Sequence, residues 1–260
     1  MDELHEVKQV ELFWLGQMGL LIKCGDQSVC VDYFASPVDG RLVPPPVPAS
    51  ELKGISAFLG THDHIDHIDH DAWKIWAETN PDAKFVFPRK HMDAVLADGV
   101  DPQNAVGLND GESVQIGAFK ISAIAASHEF LDRDPSTGLY PYLQYVIEVN
   151  GKVIHHAGDT VRYEGMLGKI KQFGHIDVQL LPINGRDSMR YRQNWIGNMT
   201  YQEAADLAGD TGSSMVIPGH WDMFAINSSD PNEFADYIDA KYGGRLRCRV
   251  PKVMEKIILL

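Results

Sequence analysis

The sequence predicts an α/β protein in which layers of β-sheet are covered by helices. Short runs rich in β-branched and aromatic residues dominate the start of the chain and return at about 113–154. Helix-like and strand-like segments alternate after that point. Because clustered strands precede this alternation, the order fits neither a simple doubly wound sheet nor a solenoid.

The first predicted strands are short and are separated by turn residues. They lie at 10–15, 19–24 and 28–33, with glycine and aspartate between them. A proline-rich loop at 37–48 follows, which cannot be a helix and is disfavoured as a central strand. Residues 55–59 then predict a buried strand that ends at a glycine.

A helix is expected to begin near Asp69, because Trp73 and Trp76 fall on one face at helical spacing. Residues 84–87 predict another strand, and Pro88 predicts the start of a helix. The remaining expected elements are strands within 113–154 and at 178–182 and 215–217, a helix after Thr160, a helix begun by the capping-box pattern at 200–203, and a late helix around 234–242.

Length, composition and charge exclude several classes of protein. A chain of 260 residues can bury a sizeable core without disulfides, and we expect a single domain spanning 1–260. Hydrophobic residues make up 44% of the chain and charged residues 23%, which excludes a disordered or fibrous protein. The formal net charge of −13 argues against nucleic acid or an anionic membrane as a partner, although a small basic pocket remains compatible with it.

The cysteines and the N-terminal residues indicate a cytoplasmic protein. Cys24, Cys30 and Cys248 are too few, and odd in number, for a secreted disulfide framework. Residues 1–6 are acidic and polar where a signal peptide would be basic and then apolar. No apolar run approaches the roughly 20 residues of a membrane helix.

The most informative segment is a cluster of histidine and aspartate directly after the strand at 55–59. It has the form His-x-His-x-Asp-His, with His62, His64, Asp66 and His67. Imidazole nitrogens and carboxylate oxygens bind zinc and other divalent cations. Alternate residues of an extended turn project the same way, so His62 and His64 can share one cation while the other two turn toward a second. The alternative is a surface tract that binds metal loosely or has no role.

Three further candidate ligands each follow an apolar run. They are His128, Asp159 and His220, and each is followed by a loop or a helix. Functional residues gather in loops at the ends of strands. Four such events in one chain favour a built metal site over scattered polar residues.

These features resemble the successive motifs of the metallo-β-lactamase superfamily, with Asp32 at the end of an early strand as the first of them. The resemblance spans nearly the whole chain. It implies a four-layer αβ/βα sandwich with a dinuclear metal site on one edge. It also implies a first metal on His62, His64 and His128, a second metal on Asp66, His67 and His220, and Asp159 as a bridge between the two.

Within the superfamily the sequence is most similar to the L-ascorbate-6-phosphate lactonase (UlaG-like) branch. The segments that carry this likeness are 14–19, 61–69, 156–159 and 217–224. The branch implies a phosphorylated sugar lactone as the substrate, manganese as the metal and a homo-oligomer. The superfamily at large implies zinc, and the His and carboxylate donors also suit iron.

The chemistry expected of this site is hydrolysis. Two divalent cations can share a water, lower its pKa and polarise a substrate oxygen. Asp66 would orient the water and carry a proton to the leaving group, so it is also a candidate catalytic residue. Two alternatives stay open. One is a phosphodiesterase or nuclease of the same superfamily, which predicts a long basic groove. The other is a metal-binding protein without turnover.

Two further groups of residues are candidates for contact with a small anionic substrate. Asn184 and Arg186 follow the strand at 178–182, with Arg190 and Arg192 close behind, and arginine binds phosphate or carboxylate in bidentate fashion. The alternative is a solvated arginine loop or a contact with another subunit. His156 is a candidate catalytic residue, as a donor behind the ligands or an oxyanion stabiliser, the alternative being a buried strand residue.

Overall fold

A computed structural model describes residues 9–259 of the chain. The expectation that residues 1–6 are no signal peptide lies outside the described residues. Within them, the strands are β1 (Val10–Gly16), β2 (Gly19–Cys24), β3 (Gln27–Val31), β4 (Ala57–Leu59), β5 (Lys84–Pro88), β6 (Ala105–Leu108), β7 (Ser113–Ile116), β8 (Phe119–Ala125), β9 (Leu143–Val149), β10 (Lys152–His156), β11 (Val178–Pro182), β12 (Met215–Gly219), β13 (Arg247–Cys248) and β14 (Lys256–Leu259). The α-helices are α1 (His70–Thr79), α2 (Met92–Ala97), α3 (Met166–Lys171), α4 (Ser188–Tyr191), α5 (Tyr201–Thr211) and α6 (Pro231–Tyr242).

The strands form two sheets with the same pairing scheme. The first sheet has the order β14-β1-β2-β3-β4-β5-β6 and the second the order β13-β12-β11-β10-β9-β8-β7. Each sheet has three antiparallel pairings at one side, β14 to β3 in the first sheet and β7 to β10 in the second, and three parallel pairings at the other. The parallel strands β4 and β5 of the first sheet, and β11 and β12 of the second, therefore run toward loops where side chains can assemble.

Three apolar clusters separate four layers. The cluster between the sheets includes the fully buried Leu12 and Ile22 of the first sheet and Ile121 and Ile147 of the second. A second cluster packs α1 and α2 on the outer face of the first sheet, and a third packs α3, α5 and α6 on the second. This arrangement confirms the expected α/β class and the four-layer αβ/βα sandwich.

Local sequence explains where the helices begin. Asp69 caps α1 by accepting a hydrogen bond from the backbone N–H of Ala72, and Trp76 stacks on Phe58 of β4 with ring centroids 4.4 Å apart. The capping box that begins α5 is formed as predicted. Pro88, the last residue of β5, caps a 3-10 helix at Arg89–His91 that leads into α2 at Met92, which confirms the predicted helix start.

Other boundaries shift by a few residues. The helix expected after Thr160 starts at Met166, behind the left-handed Gly165. The strand expected at 55–59 is shortened to β4. Three strands and one helix were not predicted at all: they are β6, β13, β14 and α4. Among the described residues, none of the helices combines the length and the hydropathy that spanning a membrane requires.

Candidate metal centre

The His-x-His-x-Asp-His segment forms the turn between β4 and α1. The backbone N–H groups of His67 and Ile68 both donate to the carbonyl of His64, which folds the segment back on itself. His62 and His67 are buried, Asp66 is partly buried, and His64 is exposed at the opening. The segment therefore presents ring nitrogens and a carboxylate toward one point beside the sheet edge.

The second sheet supplies the remaining candidate ligands from loops after three strands. His128 follows β8, Asp159 follows β10 and His220 follows β12. The loops after β8 and β10 are tied together, since the N–H of Ser127 donates to Thr160 Oγ1 at 3.0 Å. All seven sequence-predicted metal ligands thus meet at the same edge of the sandwich.

The candidate ligands form three groups, and within each group the donor atoms lie within 4.8 Å of one another. The first group is His62, His64 and His128; the second is His62, His67 and Asp159; the third is Asp66, His67 and His220. The first and third groups are the two ligand sets that the superfamily resemblance implies. The second group joins them, because it shares a histidine with each.

Asp159 faces both sides of this arrangement. Its Oδ1 lies 3.3 Å from His67 Nε2, whereas its Oδ2 lies 3.1 Å from His220 Nε2 and 3.5 Å from His128 Nε2. Asp159 thus approaches His128 of the first ligand set and both His67 and His220 of the other set, which is the position that a bridging ligand needs.

A buried network around Asp32 fixes the tautomers of two histidines. Asp32 Oδ1 accepts from the N–H of Thr61, and Asp32 Oδ2 accepts from Thr61 Oγ1 at 2.7 Å and from His67 Nδ1 at 2.6 Å. Because the Thr61 hydroxyl proton goes to Asp32, its oxygen accepts from His62 Nδ1 at 3.1 Å. Both imidazoles therefore carry a proton on Nδ1 and direct Nε2 into the site, the orientation that metal-binding histidines adopt.

The electrostatics of the site are those of a cation-binding pocket. Burial would raise the pKa values of Asp66 and Asp159, but His67 and His220 hold both pKa values well below the usual carboxyl range. Burial would lower the pKa of His220, but Asp159 and Asp66 raise it to about 10. The pKa of His62 falls instead, through burial and the neighbouring histidines. Two ionised carboxylates thus lie beside His67 and His220, whose pKa values they raise, so the site stabilises positive charge.

Several buried polar atoms of the candidate ligands form no hydrogen bond within the described part of the chain, as expected of atoms that bind a metal ion. His67 Nε2, His128 Nδ1 and Asp159 Oδ1 are buried and form no hydrogen bond within residues 9–259. Leaving a buried polar atom unpaired costs about 1–3 kcal/mol. A cation bound by Nε2 of His67 and Oδ1 of Asp159 would remove that cost for two of the three.

Two site residues hold left-handed backbone conformations that favour glycine. Asp32 has φ 45° and His220 has φ 59°. The His220 N–H donates to the carbonyl of Gln17, which itself has φ 53°. Backbone strain of this kind persists where the surrounding structure requires it, and it gathers at functional sites.

Gln17 is a site residue that sequence reasoning missed as such. Its Nε2 donates to Asp66 Oδ2 at 2.8 Å and lies 3.2 Å from His220 Nε2. Its backbone N–H donates to Asp222 Oδ1. Gln17 lies in the segment 14–19, one of the segments that carry the branch resemblance. That position was the signal that could have identified it, although no role was assigned to any residue of the segment.

Five of the seven candidate ligands line a cleft of about 740 Å³: they are His64, Asp66, His128, Asp159 and His220. The walls come from the loop after β3, from the His-x-His-x-Asp-His turn, and from the segments that follow α4 and β12. The lining residues outside the ligand set are Val38, Asp39, Gly40, Ile65, Asn194, Trp195, Ile196, Phe224, Ala225, Ile226 and Asn227.

The predicted substrate-binding residues do not line this cleft. Arg186 donates to both carboxylate oxygens of Glu203 at 2.6 and 2.7 Å and to the carbonyl of Asn198. Asn184 is buried and donates to Asn227 Oδ1 at 2.8 Å, so it lies behind a lining residue. Sequence alone could not show that a glutamate on the next helix would pair with Arg186.

Two other polar residues that were candidates for substrate contact or catalysis, Arg190 and His156, are also paired within the protein. Arg190 donates to Asp187, to the carbonyl of Asn184 and to Asn227 Oδ1, so its guanidinium is paired within the protein. His156 is fully buried, with Nε2 on the carbonyl of Met18 at 2.7 Å and Nδ1 accepting from the N–H of Gly158. With both ring nitrogens engaged, His156 is no oxyanion donor, and it links two loops behind the ligands.

Comparison with known proteins agrees with this geometry. Residues 21–221 match the model of the family described as "Beta-lactamase superfamily domain". The chain belongs to the metallo-β-lactamase superfamily. The matched residues include most strands of both sheets and all the candidate ligands.

Individual members of the superfamily extend the comparison. A UPF0173 metal-dependent hydrolase of Pyrococcus furiosus is 28% identical over 232 residues, covering 89% of this chain and 93% of that protein. A UPF0173 metal-dependent hydrolase of Thermococcus onnurineus is 30% identical over 206 residues, covering 78% and 84%. The solved structure of Igni18, a metallo hydrolase of Ignicoccus hospitalis, superposes with a TM-score of 0.76 at 22% identity, covering 97% of this chain and 99% of that chain.

Proposed function

We propose that the protein is a metal-dependent hydrolase that holds two divalent cations and opens a carboxylic ester bond of a small substrate, such as a lactone. The observation that carries the proposal is that two candidate ligand sets lie side by side at the cleft. A third donor group, made of His62, His67 and Asp159, connects the two sets. The two archaeal relatives are described as metal-dependent hydrolases, which supports the same reaction class.

The donors suit zinc, manganese or iron. His62, His64 and His128 would hold one ion, Asp66, His67 and His220 the other, and Asp159 would bridge them. When bound, such a pair of ions lowers the pKa of water and polarises the substrate carbonyl. The groups contain no cysteine, so softer thiolate-binding metals are disfavoured.

Asp66 is the residue of the chain that we expect to handle the proton. It lines the cleft, and one of its oxygens is held by Gln17 Nε2. A carboxylate held in this way accepts a hydrogen bond from the attacking water in one orientation and can pass the proton to the leaving oxygen. The Asp32–Thr61 network keeps His62 and His67 in position during the reaction.

The lining of the cleft favours an ester or lactone over a phosphodiester. Within the described residues, the side chains that line it include no lysine and no arginine. A nuclease would need a basic groove to follow a phosphate backbone. The branch resemblance implies a phosphorylated sugar lactone, but Arg186, the residue expected to bind its phosphate, is paired with Glu203. We therefore propose an ester or lactone bond as the bond that is cleaved, without a phosphate group on the substrate.

Metal stoichiometry and turnover together test this proposal. The protein is reconstituted with zinc or manganese, bound metal is counted by mass spectrometry, and acid release from simple lactones is followed at constant pH. We expect two ions per chain, with turnover. The His64→Ala variant should keep about one ion and lose activity at least 100-fold, whereas His175→Ala, an exposed histidine bonded to Ser214, should change neither.

Three results would contradict the proposal. One is a single ion in the unmodified protein. Another is full activity in His64→Ala. The third is cleavage of bis(p-nitrophenyl) phosphate without cleavage of any lactone or ester, which would assign the chain to the phosphodiesterase alternative. Metal binding without turnover on any of these compounds would favour the non-catalytic alternative.

A further inference from the structure

We propose that the substrate carries an aryl or branched-alkyl group next to the hydrolysed ester bond, and that this group packs on apolar side chains beside the metal ligands. The inference rests on the proposed hydrolase function and adds the substrate class. Three features of the structure support it: the apolar lining of the cleft, the exposure of two isoleucines in the cleft, and the ion pairs that hold the nearby arginines.

The cleft has the size and the composition of a site for a small apolar molecule. Its volume of about 740 Å³ lies within the roughly 300–1,000 Å³ of typical ligand sites. Its walls are largely apolar, and the side chains responsible are Val38, Ile65, Trp195, Ile196, Phe224 and Ile226. A pocket for a sugar phosphate would instead present several donors and at least one cation.

Two large aliphatic side chains remain exposed inside this concave region. Ile65 is 55% exposed and Ile226 is 42% exposed. Ile65 stands between the candidate ligands His64 and Asp66 in the chain, so its Cα is one peptide, about 3.8 Å, from each of theirs. An apolar group bound against Ile65 would therefore lie beside the reacting carbonyl, and covering both isoleucines would remove apolar surface from water.

An aromatic pair continues the apolar wall. The rings of Trp195 and Phe224 meet edge to face, with centroids 6.0 Å apart and planes at 60°. Both side chains are partly buried and both line the cleft. Because aryl groups pack well on such edge-to-face pairs, a phenyl substituent is a suitable first probe.

The charges around the cleft disfavour an anionic substituent. Asp39 lines it together with Asp66 and Asp159, and no described lysine or arginine does so. Arg41 donates to three backbone carbonyls, those of Val43, Ser36 and Phe34. Arg186 and Arg190 are held by Glu203 and Asp187. A phosphate on the substrate would therefore meet the carboxylates of the cleft and, among residues 9–259, no lysine or arginine that could bind it.

The first experiment compares matched lactones with the metal-loaded protein. The substrates are γ-butyrolactone, γ-phenyl-γ-butyrolactone and a phosphorylated sugar lactone. Each kcat/KM is divided by the rate of base hydrolysis of the same compound, which removes differences in intrinsic reactivity. We expect the phenyl lactone to exceed γ-butyrolactone at least about tenfold. A phosphorylated lactone that surpasses the phenyl lactone would overturn the inference.

A matched pair of variants locates the effect. Ile226→Ser removes an exposed isoleucine from the cleft, while Ile258→Ser removes one of equal exposure, 42%, from the edge strand β14. Ile226→Ser should lower kcat/KM for the phenyl lactone about three- to tenfold more than kcat/KM for γ-butyrolactone, and Ile258→Ser should affect neither. Equal losses on both substrates, or a phenyl preference untouched by Ile226→Ser, would contradict the inference.

A binding measurement separates this inference from the proposed function. 5-Phenyl-2-pyrrolidinone and 2-pyrrolidinone are non-hydrolysed analogues of the two lactones, and their affinities are measured by calorimetry. Tighter binding of the phenyl compound, at least about tenfold and lost in Ile226→Ser, supports the apolar site even if no lactone is turned over. Equal binding of the two lactams would overturn the inference even if lactones are hydrolysed.

Discussion

The side-chain amide of Gln17 donates a 2.8 Å hydrogen bond to Asp66 Oδ2, while the carbonyl of the same Gln17 accepts from the N–H of His220. One residue of the β1–β2 turn thus touches a candidate ligand from each sheet. The amide fixes the carboxylate and the carbonyl fixes the histidine backbone. Gln17 is therefore a positioning residue for the candidate metal centre.

Replacing Gln17 by asparagine should weaken metal binding without harming the fold. Asparagine tolerates the φ of 53° found here, but its shorter side chain does not reach Asp66. Loss of such a supporting contact costs about 10–100-fold in metal affinity. A competition titration with a fluorescent chelator measures it, and the free energy of unfolding of the metal-free protein serves as control. Unchanged affinity in a stable variant would remove Gln17 from the site.

Gly158→Ala should be much more harmful than Gly243→Ala. The two glycines have nearly equal φ values, 55° and 52°, so alanine meets similar backbone strain of about 1 kcal/mol at both. A Cβ at Gly158 would lie 2.7 Å from Thr61 Oγ1, whereas at Gly243 it would meet no described atom within 4 Å. We expect Gly158→Ala alone to weaken metal binding, because Thr61 orients His62. Urea unfolding and chelator titration measure both effects, and equal losses in the two variants would contradict this reasoning.

Arg186→Met should change stability more than catalysis. The bidentate pair with Glu203 is partly exposed, with side-chain exposures of 31% and 34%, so its loss should cost about 1 kcal/mol of the free energy of unfolding. We expect kcat/KM to stay within about threefold. Glu203→Gln, which can keep the capping box, is the matched control and should give a similar loss. A large fall in kcat/KM at unchanged stability would restore Arg186 as a substrate contact.

His155 should make the protein less stable in acid. Burial lowers its pKa from 6.5 to about 4, and its ring nitrogens lie 3.0 Å from the side chains of Gln144 and Gln179. The folded state thus binds fewer protons than the unfolded state between these two values, so stability is present above pH 6.5 and is lost as the pH falls toward 4. The loss is on the order of 3 kcal/mol.

The test compares the unmodified protein with His155→Gln, both free of metal, by urea unfolding between pH 7 and pH 4. The difference in the pH dependence of the two free energies isolates His155 from the other histidines. We expect the variant to lose less stability on acidification. Parallel curves would show that His155 does not contribute.

The metal centre was more predictable than its surroundings. His62, His64 and their partners follow strands that are apolar in sequence, and each strand end delivers a ligand to the same edge of the sandwich. Those local signals are strong because a metal site needs several donors of few residue types. The expected homo-oligomer, the cytoplasmic location and the single-domain organisation stay predictions.

The substrate contacts were less predictable because they depend on long-range pairing. Arg186 has the right chemistry for an anion, but Glu203 reaches it from α5. His156 was expected to face the site, and the carbonyl of Met18, from the β1–β2 turn, holds it behind the ligands. β13 and β14 were missed because edge strands of two and four residues carry little periodicity.

Each candidate ligand set draws on both sheets, with His62 and His64 meeting His128 and with Asp66 and His67 meeting His220. A bound ion would therefore act as a non-covalent cross-link between segments far apart in the chain. Because the ion would bind the folded state only, it would stabilise that state by mass action. Chelation should accordingly speed amide hydrogen exchange in the β4–α1 turn and at the end of β12 together, as one cooperative unit.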